Sequence, residues 1–300
     1  MDASSKHLKE LLKFAIRHQT DDKYVADGTP PQLDEERKQF LESVLKSMAV
    51  DVTGELIKAL HILDDPATTT EDKIEALDVI RDYIDNIDFA NNFVKIGGTR
   101  VLIDCLKDDN DMLKINAINV LAELSQNNPF CQQHFLDVKV MELLVAYLKD
   151  SNDQVVASTL YALSSIMQNY EPATSEFAKG EGMPNVLHCL GNKCSRVFVK
   201  ACFLISSISS QFPLIRDQFV CCNAFQNLSK NLESMGDFDV KSEALLLAMS
   251  TLTESQFFKC NANDKKEILD TLNSSLKNFK GLPQCEEMEM YTQKIIDKLQ

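Results

Sequence analysis

The sequence predicts an all-α fold in which three-helix repeats stack on one another, and three observations support this prediction. The chain has 300 residues, of which 44% are apolar, yet the period-2 alternation that marks half-buried strands is almost absent. It contains only 9 glycines and no tryptophan. Large apolar residues also recur with a fixed step of 42 positions. These residues are the phenylalanines Phe93, Phe135, Phe177 and Phe219, and the leucines Leu106, Leu148, Leu190 and Leu232.

A further block of apolar positions keeps the same step and divides each unit into three segments. Its members are Ala117, Leu121 and Leu124, then Thr159, Leu163 and Ile166, then Ala201, Ile205 and Ile208. A single unit of this kind cannot bury its own apolar face, so neighbouring units must stack. We therefore predict an armadillo-like right-handed solenoid with a period of about 42 residues. Because solenoids bind along extended surfaces, a partner-binding scaffold is the expected class of protein.

Four regions follow one another along the chain. Residues 1–31 are predicted to form a short amphipathic helix followed by a flexible linker. Residues 32–92 are predicted to form N-terminal capping helices and an incomplete first repeat. Residues 93–256 carry the armadillo-like repeats. The period then fades, and residues 257–300 are predicted to form C-terminal capping helices.

Local patterns place several of these helices. Apolar spacing predicts the last two helices of the incomplete opening repeat at residues 51–63 and 71–86. The pair Gly97-Gly98 is predicted to separate the first helix of the next unit from the second. The polar capping helices are expected at Lys266–Lys277 and Gln284–Gln300.

The first 20 residues are mildly basic, since they hold 4 Lys/Arg against 2 Asp/Glu, and their spacing predicts a helix with one apolar face. That face is formed by Leu8, Leu11, Leu12 and Ile16. A helix of about three turns is marginally stable in isolation. Three interpretations remain open: a mitochondrial transit peptide, against which Asp2 and Glu10 argue; a cap on the first repeat; and a mobile element that mimics an apolar peptide.

The composition argues against several classes of function. The formal net charge of −14 disfavours nucleic acid binding, which requires a basic surface. No apolar run approaches the ~20 residues of a membrane span. Nine cysteines without regular spacing, and no secretory pattern after Met1, indicate the cytoplasm, with access to the nucleus. Residues 61–128 hold 14 Asp/Glu against 6 Lys/Arg. These acidic side chains form either a solvated outer face or a surface that is electrostatically complementary to a basic partner protein.

Catalytic and metal-binding residues are not indicated by the sequence. The five histidines are scattered, and the nearest approach to a metal site is His188-Cys189 with Cys194. Cys189 occupies the repeat position of Cys105 and Tyr147, which favours a structural role. We therefore expect no enzyme activity, no cofactor and no metal.

The third helix of each unit carries the candidate binding residues, because it lines the concave face of an armadillo array. Tyr161 and Phe203 occupy equivalent positions near Lys200, and aromatic side chains beside a cation are typical interface anchors. The alternative is that both rings fill gaps between helices. The full candidate set is Asn116, Asn119, Glu123, Ser158, Tyr161, Ser165, Lys200, Phe203 and Ser207.

Several segments, in this order and spacing, are similar to a known family. The chain resembles the cytosolic armadillo-type nucleotide exchange factors of the seventy-kilodalton heat-shock chaperones, the heat-shock-seventy-binding protein and its fungal counterpart. The segments that carry the resemblance are Leu11-Leu-Lys-Phe-Ala-Ile16, Glu35-Glu-Arg-Lys-Gln-Phe-Leu41, Asp88-Phe-Ala-Asn-Asn-Phe-Val-Lys-Ile-Gly-Gly98, Ser125-Gln-Asn127, Leu160-Tyr-Ala-Leu-Ser164 and Val199-Lys-Ala-Cys-Phe-Leu-Ile205.

The resemblance implies a non-enzymatic co-chaperone that acts as a monomer. Its concave face is expected to grip one lobe of the chaperone's nucleotide-binding domain, so that ADP leaves and the client is released. The N-terminal segment, with Phe14 beside its apolar face, is expected to displace clients. The chain departs from the family at Ser158 and Gln168, where relatives often carry a basic residue. The alternative function is a general armadillo adaptor for another protein; the absence of tryptophan argues against a nuclear-import adaptor.

Overall fold

The structure, a computed structural model, describes residues 51–232 and 239–300. Contacts divide the chain into two units, residues 1–54 and residues 55–300. Of the first unit, the structure describes residues 51–54, the last three of which begin a helix. The helix and linker predicted for residues 1–31, including the apolar face and Phe14, lie outside the described residues.

The described residues form α-helices, with one short 3-10 helix at Pro283–Cys285 and no strand. The all-α prediction is confirmed. The helices are α1 Val52–Asp64, α2 Thr70–Ile84, α3 Ile87–Lys95, α4 Gly98–Leu106, α5 Asp111–Ser125, α6 Pro129–Asp137, α7 Val140–Tyr147, α8 Asp153–Met167, α9 Glu171–Lys179, α10 Gly182–Cys189, α11 Ser195–Gln211, α12 Pro213–Cys221, α13 Ala224–Ser229, α14 Val240–Leu252, α15 Ala262–Phe279 and α16 Glu286–Leu299.

The helices from α3 onwards group into successive three-helix repeats. The complete repeats are α3–α5, α6–α8, α9–α11 and α12–α14, and each third helix packs against the third helix of the next repeat. The last of them, α14, packs against α16. Helices α1 and α2 lie where the apolar spacing predicted the end of the opening repeat. Near the C-terminus, α15 extends the predicted segment Lys266–Lys277 at both ends. Helix α16 lies within the predicted segment Gln284–Gln300 and begins later, because a 3-10 helix occupies Pro283–Cys285.

The core consists of the residues that the 42-residue step identified. The four recurring phenylalanines and the four recurring leucines are all at most 3% exposed. The nine positions of the third-helix block, from Ala117 to Ile208, are fully buried at 0%. Burial of a large apolar side chain contributes about 1.5–3 kcal/mol, so this ladder is a main source of the stability of the array.

Gly98 allows the first and second helices of its repeat to approach closely. A Cβ atom at this position would lie 2.4 Å from the ring of Phe93, which is less than any normal contact. The preceding Gly97 has a φ of +94°, a left-handed conformation that residues with side chains adopt at a cost. The glycine pair therefore provides both the turn and the close packing between α3 and α4.

Asparagine side chains fix the starting points of the third helices and link successive repeats. Asn110 accepts a hydrogen bond from the backbone N–H of Leu113 at 3.0 Å, which caps α5. Asn152 caps α8 by accepting from the N–H of Gln154 at 2.9 Å, and its Nδ2 donates to Asp111 at 2.7 Å. These contacts align the N-terminal ends of adjacent third helices, and so the surface between them.

No helix among residues 51–232 and 239–300 is long and apolar enough to cross a membrane.

Candidate partner-binding surface

The surface formed by the solvent-facing sides of α2, α5, α8, α11 and α14 is called here the third-helix surface. Its helices lie side by side because each packs against the next. Their inward faces are fixed by the buried block described above. The residues left over on the outward face, about one per turn, are available to a partner.

Seven of the nine candidate residues reach solvent. Phe203 is 41% exposed, and the other six are partly buried. Those six are Asn116, Asn119, Glu123, Tyr161, Lys200 and Ser207. The expectation that Ser158 and Ser165 face a partner is corrected, since they are only 6% and 4% exposed. Both lie on α8, which packs between α5 and α11, and a serine side chain is too short to reach past these neighbours.

Glu123 is held by an arginine from the preceding repeat. Nε of Arg81 donates to both carboxylate oxygens of Glu123 at 3.0 Å, and its second terminal nitrogen donates to Oε1 at 2.6 Å. These hydrogen bonds raise the pKa of Arg81 above its ordinary value. The pair fixes the position of both side chains and leaves Glu123 already satisfied before any partner binds.

Tyr161 is held from two sides. Gln126 donates a hydrogen bond to its hydroxyl oxygen, and the ammonium of Lys200 lies 4.8 Å from the centre of its ring. Burial raises the pKa of the Tyr161 hydroxyl above its ordinary value. The Tyr161 ring therefore fills a gap between α8 and α11, which was the alternative interpretation of this residue. The ammonium of Lys200 lies over the ring.

A cleft of about 540 Å³ lies between α11 and the beginning of α14. Its outward rim is apolar, with Phe203 on one side and Val240, which is 60% exposed, on the other. The charged residues that line it are Arg196, Lys200, Lys241 and Asp239. Asp239 accepts a hydrogen bond from the backbone N–H of Ser242 at 2.7 Å, and so serves as the N-cap of α14.

Lys200 is half-buried, and its charged neighbour is another cation. Burial, followed by the charge of Arg196, lowers the pKa of Lys200 below its ordinary value. Arg196 precedes Lys200 by one helical turn on α11, which places both groups on one face. Among the described residues, no carboxylate lies within the 4.0 Å of an ion pair with Lys200.

Cys189 has the buried, structural position that the sequence indicated. Cys189 is 2% exposed, its Sγ lies 3.7 Å from the carbonyl oxygen of Leu148, and burial raises the pKa of its thiol to about 11. His188 is exposed on the adjacent position. Within the part of the chain that the structure describes, no group of three His, Cys, Asp or Glu side chains could hold a metal ion.

Sequence reasoning missed five residues of this surface. Arg81 and Arg196 could have been found, because Arg81 stands one 42-residue step before Glu123 and Arg196 one helical turn before Lys200. Gln126 could not, since it reaches Tyr161 from beyond the end of α5. Val240 and Lys241 follow Met235-Gly-Asp-Phe-Asp239, an insertion in the sequence that shifts the repeat register by one or two residues, so the 42-residue step does not place them.

Comparison with known proteins assigns the family. The model of the nucleotide exchange factor Fes1 matches residues 8–93. The model of the SIL1/FES1/HPBP1 C-terminal domain matches residues 89–196, so the two follow one another over most of the chain. The chain belongs to the Fes1/SIL1/HPBP1 family. The predicted resemblance is thereby confirmed.

A curated relative agrees with this assignment, and two solved structures share the fold. The Hsp70 nucleotide exchange factor FES1 of Coccidioides immitis (strain RS) is 30% identical over 146 residues, which are 45% of this chain and 65% of that protein. An engineered protein has a TM-score of 0.67 at 16% identity, covering 84% of this chain and 99% of its own. A designed armadillo repeat protein has a TM-score of 0.64 at 16% identity, covering 82% and 100%. The armadillo-like fold is confirmed.

Proposed function

We propose that this protein is a nucleotide exchange factor for a cytosolic Hsp70 chaperone. The observation that carries the proposal is the family match over residues 8–196. The curated relative, which matches over 65% of its length, is named for the same activity. In this proposal the protein acts as a monomer in the cytoplasm, and it transfers no chemical group itself.

The third-helix surface is the proposed contact with the nucleotide-binding domain of the chaperone. It combines an exposed aromatic side chain, Phe203, with the cation of Lys200 one turn away. Aromatic and cationic side chains at the centre of an interface carry much of its binding energy. The general adaptor function has no comparable support, because no observation indicates a partner of another kind.

Exchange by such a protein is a coupling between two ligands of the chaperone. The protein accelerates ADP release only if it binds the opened nucleotide-binding domain more tightly than the ADP-closed one. By linkage, ADP must weaken binding of the protein by the same factor. ATP then replaces ADP, and the client leaves.

The direct test is the release of a fluorescent ADP analogue from a cytosolic Hsp70. Saturating protein is expected to increase the release rate severalfold, and the protein alone is expected to hydrolyse no nucleotide. Excess ADP is expected to reduce capture of the protein by the chaperone. A release rate that stays unchanged at saturating protein contradicts the proposal.

The third-helix surface is tested separately with Phe203→Ala combined with Lys200→Ala. This variant is expected to weaken the complex by about 2 kcal/mol or more, the scale of interface hot spots. Leu214→Ala is the matched control, because Leu214 is 73% exposed but lies on α12, a first helix. Equal binding of both variants would place the contact elsewhere.

A further inference from the structure

We propose that the cleft between α11 and α14 binds a carboxylate-bearing segment of the partner, with an apolar side chain of that segment packed against Phe203 and Val240. The proposal rests on the proposed function for the identity of the partner. The chemistry of the ligand follows from the cleft itself, which combines cationic walls with an apolar rim.

The charge of the cleft is opposite to that of the protein. The chain carries a formal net charge of −14, yet the described residues that line the cleft include the cations Arg196 and Lys200 on α11, with Lys241 engaged by the Phe198 ring at 5.1 Å, and the carboxylate of Asp239. Asp239 already accepts the backbone N–H of Ser242. A local field of this sign attracts anions and disfavours the basic segments that the rest of the surface attracts.

Lys200 provides the strongest indication of an anionic ligand. A half-buried ammonium is costly unless a counter-charge or hydrogen-bond acceptors compensate its lost hydration. Among the described residues, Lys200 has the Tyr161 ring at 4.8 Å and no carboxylate within ion-pair distance, and the neighbouring Arg196 adds repulsion. A carboxylate placed between Lys200 and Arg196 would remove both costs, since charge-assisted hydrogen bonds are about twice as strong as neutral ones.

Arg81 shows what a completed site of this kind looks like on the same surface. Its guanidinium is neutralised by Glu123 of the next third helix. Among the described residues, the positions facing the α11 cations at the start of α14 are Asp239, Val240 and Lys241, and the one acid of these three, Asp239, already accepts the backbone N–H of Ser242. In this proposal the partner supplies the carboxylate at this end of the surface, whereas at the Arg81 end Glu123 supplies it.

The apolar rim defines the second feature of the ligand. Phe203 and Val240 are 41% and 60% exposed on opposite sides of the cleft. An apolar side chain that enters between them is removed from water on both sides, which favours binding. A segment with acidic residues on both sides of one aromatic or leucine residue fits this cleft. Its carboxylates can pair with Arg196 and Lys200, and its apolar side chain can pack against Phe203 and Val240.

The experiment uses two probes and a variant that removes charge but keeps side-chain length, Arg196→Met with Lys200→Met. The first probe is a fluorescein-labelled acetyl-Glu-Glu-Phe-Glu-Glu-amide peptide, measured by anisotropy at low salt, with the Gln-Gln-Phe-Gln-Gln peptide as the uncharged control. The second is the nucleotide-binding domain of a cytosolic Hsp70, titrated at several salt concentrations. Lys179→Met, at an exposed first-helix lysine, is the matched control.

The acidic peptide is expected to bind wild type at least tenfold more tightly than the uncharged peptide, and the double variant is expected to lose this preference. Lys200→Arg is expected to keep it, because the charge is retained. Affinity for the chaperone domain is expected to fall with salt, and less steeply for the double variant.

Equal binding of the acidic and the uncharged peptide by wild type overturns the inference, because a protein of this net charge has no other reason to prefer an acidic ligand. The inference also fails if the double variant binds the chaperone domain as wild type does while Phe203→Ala weakens binding. That second result leaves the proposed function intact. A wild type that does not accelerate ADP release but prefers the acidic peptide has the opposite meaning: the cleft chemistry stands and the proposed function fails.

Discussion

Arg81 and Glu123 occupy the same position in consecutive repeats and form a two-point ion pair across the boundary between them. The pair joins α2 to α5 through three hydrogen bonds of 2.6–3.0 Å. The Glu123 side chain is only 20% exposed, so its charge is partly removed from water. In a stacked array each repeat is stabilised mainly by its neighbours, and this pair therefore connects the opening helices to the first complete repeat.

Glu123→Gln is expected to destabilise the protein by about 1–2 kcal/mol, because Arg81 then loses its nearest counter-charge in a partly buried place and keeps the more distant Asp78 at 3.6 Å. Urea denaturation measures the change. Arg100→Met is the control: Arg100 contacts Asp64 at 2.8 Å, but these side chains are 63% and 50% exposed, and an exposed pair contributes little to stability. If both variants lose the same free energy of unfolding, the Arg81–Glu123 pair has no special role.

Gly98→Ala is expected to destabilise the array by about 1–3 kcal/mol, the usual cost of overpacking. The new Cβ atom would lie 2.4 Å from the Phe93 ring, which is itself fully buried and has no free space to move into. Gly180→Ala is the control, since the nearest atom there is the carbonyl oxygen of Glu176 at 3.9 Å. The control is expected to be neutral by thermal and urea denaturation; a Gly98 variant as stable as the control would show that the Phe93 ring can shift.

The stability contributed by Asp217 is expected to disappear at acid pH. Its carboxylate accepts hydrogen bonds from the Ser255 hydroxyl at 2.6 Å and from Gln256 at 3.0 Å, and these bonds, led by that of Ser255, lower the pKa of Asp217. A group with a lowered folded-state pKa stabilises the protein above its unfolded pKa of about 3.9. That contribution is lost as the pH falls through the folded pKa.

Asp217→Asn is therefore expected to be less stable than wild type at pH 7, and the difference is expected to shrink below about pH 4. Urea denaturation at a series of pH values measures this difference. Asp270→Asn, at an exposed position of α15, is expected to show no such trend. A difference between wild type and the Asp217 variant that does not depend on pH would mean that the hydrogen bonds, and not the charge, are responsible.

The residues that the sequence placed correctly are those whose environment repeats. Phe135 and Leu163 are buried because the same contacts recur at each step, so one pattern determines many positions. Ser158 and Ser165 were assigned to the binding surface by the same periodicity, and this was wrong. Periodicity gives the direction of a side chain from its helix but not its reach, and exposure on a crowded third helix depends on both.

The cleft between α11 and α14 shows the second limit of sequence reasoning. Lys200 and Phe203 were identified from the repeat pattern, whereas Val240 stands beyond the segment that shifts the register. Pairing across that boundary depends on how α14 packs against α11. The Arg81–Glu123 ion pair, by contrast, could be found from the sequence. Its two residues stand one 42-residue step apart, in a part of the chain where the repeat is regular.

The N-terminal segment is expected to act separately from nucleotide exchange. The Leu8, Leu11, Leu12 and Ile16 pattern predicts a helix too short to be stable alone, and the sequence continues through Pro30-Pro31. We expect its apolar face to compete with clients for the peptide site of the chaperone. Deletion of residues 1–31 should then leave ADP release and the melting temperature nearly unchanged, while release of a tightly bound fluorescent peptide becomes several times slower.

Leu11→Ser with Leu12→Ser in the full-length chain is the matched variant, because it removes the apolar face and keeps the length. It is expected to slow peptide release as the deletion does, since both changes remove the side chains that a peptide site accepts. A drop of several degrees in the melting temperature of the deletion variant would support the other interpretation, in which the segment caps the first repeat. Normal peptide release by both variants would assign client release to nucleotide exchange alone.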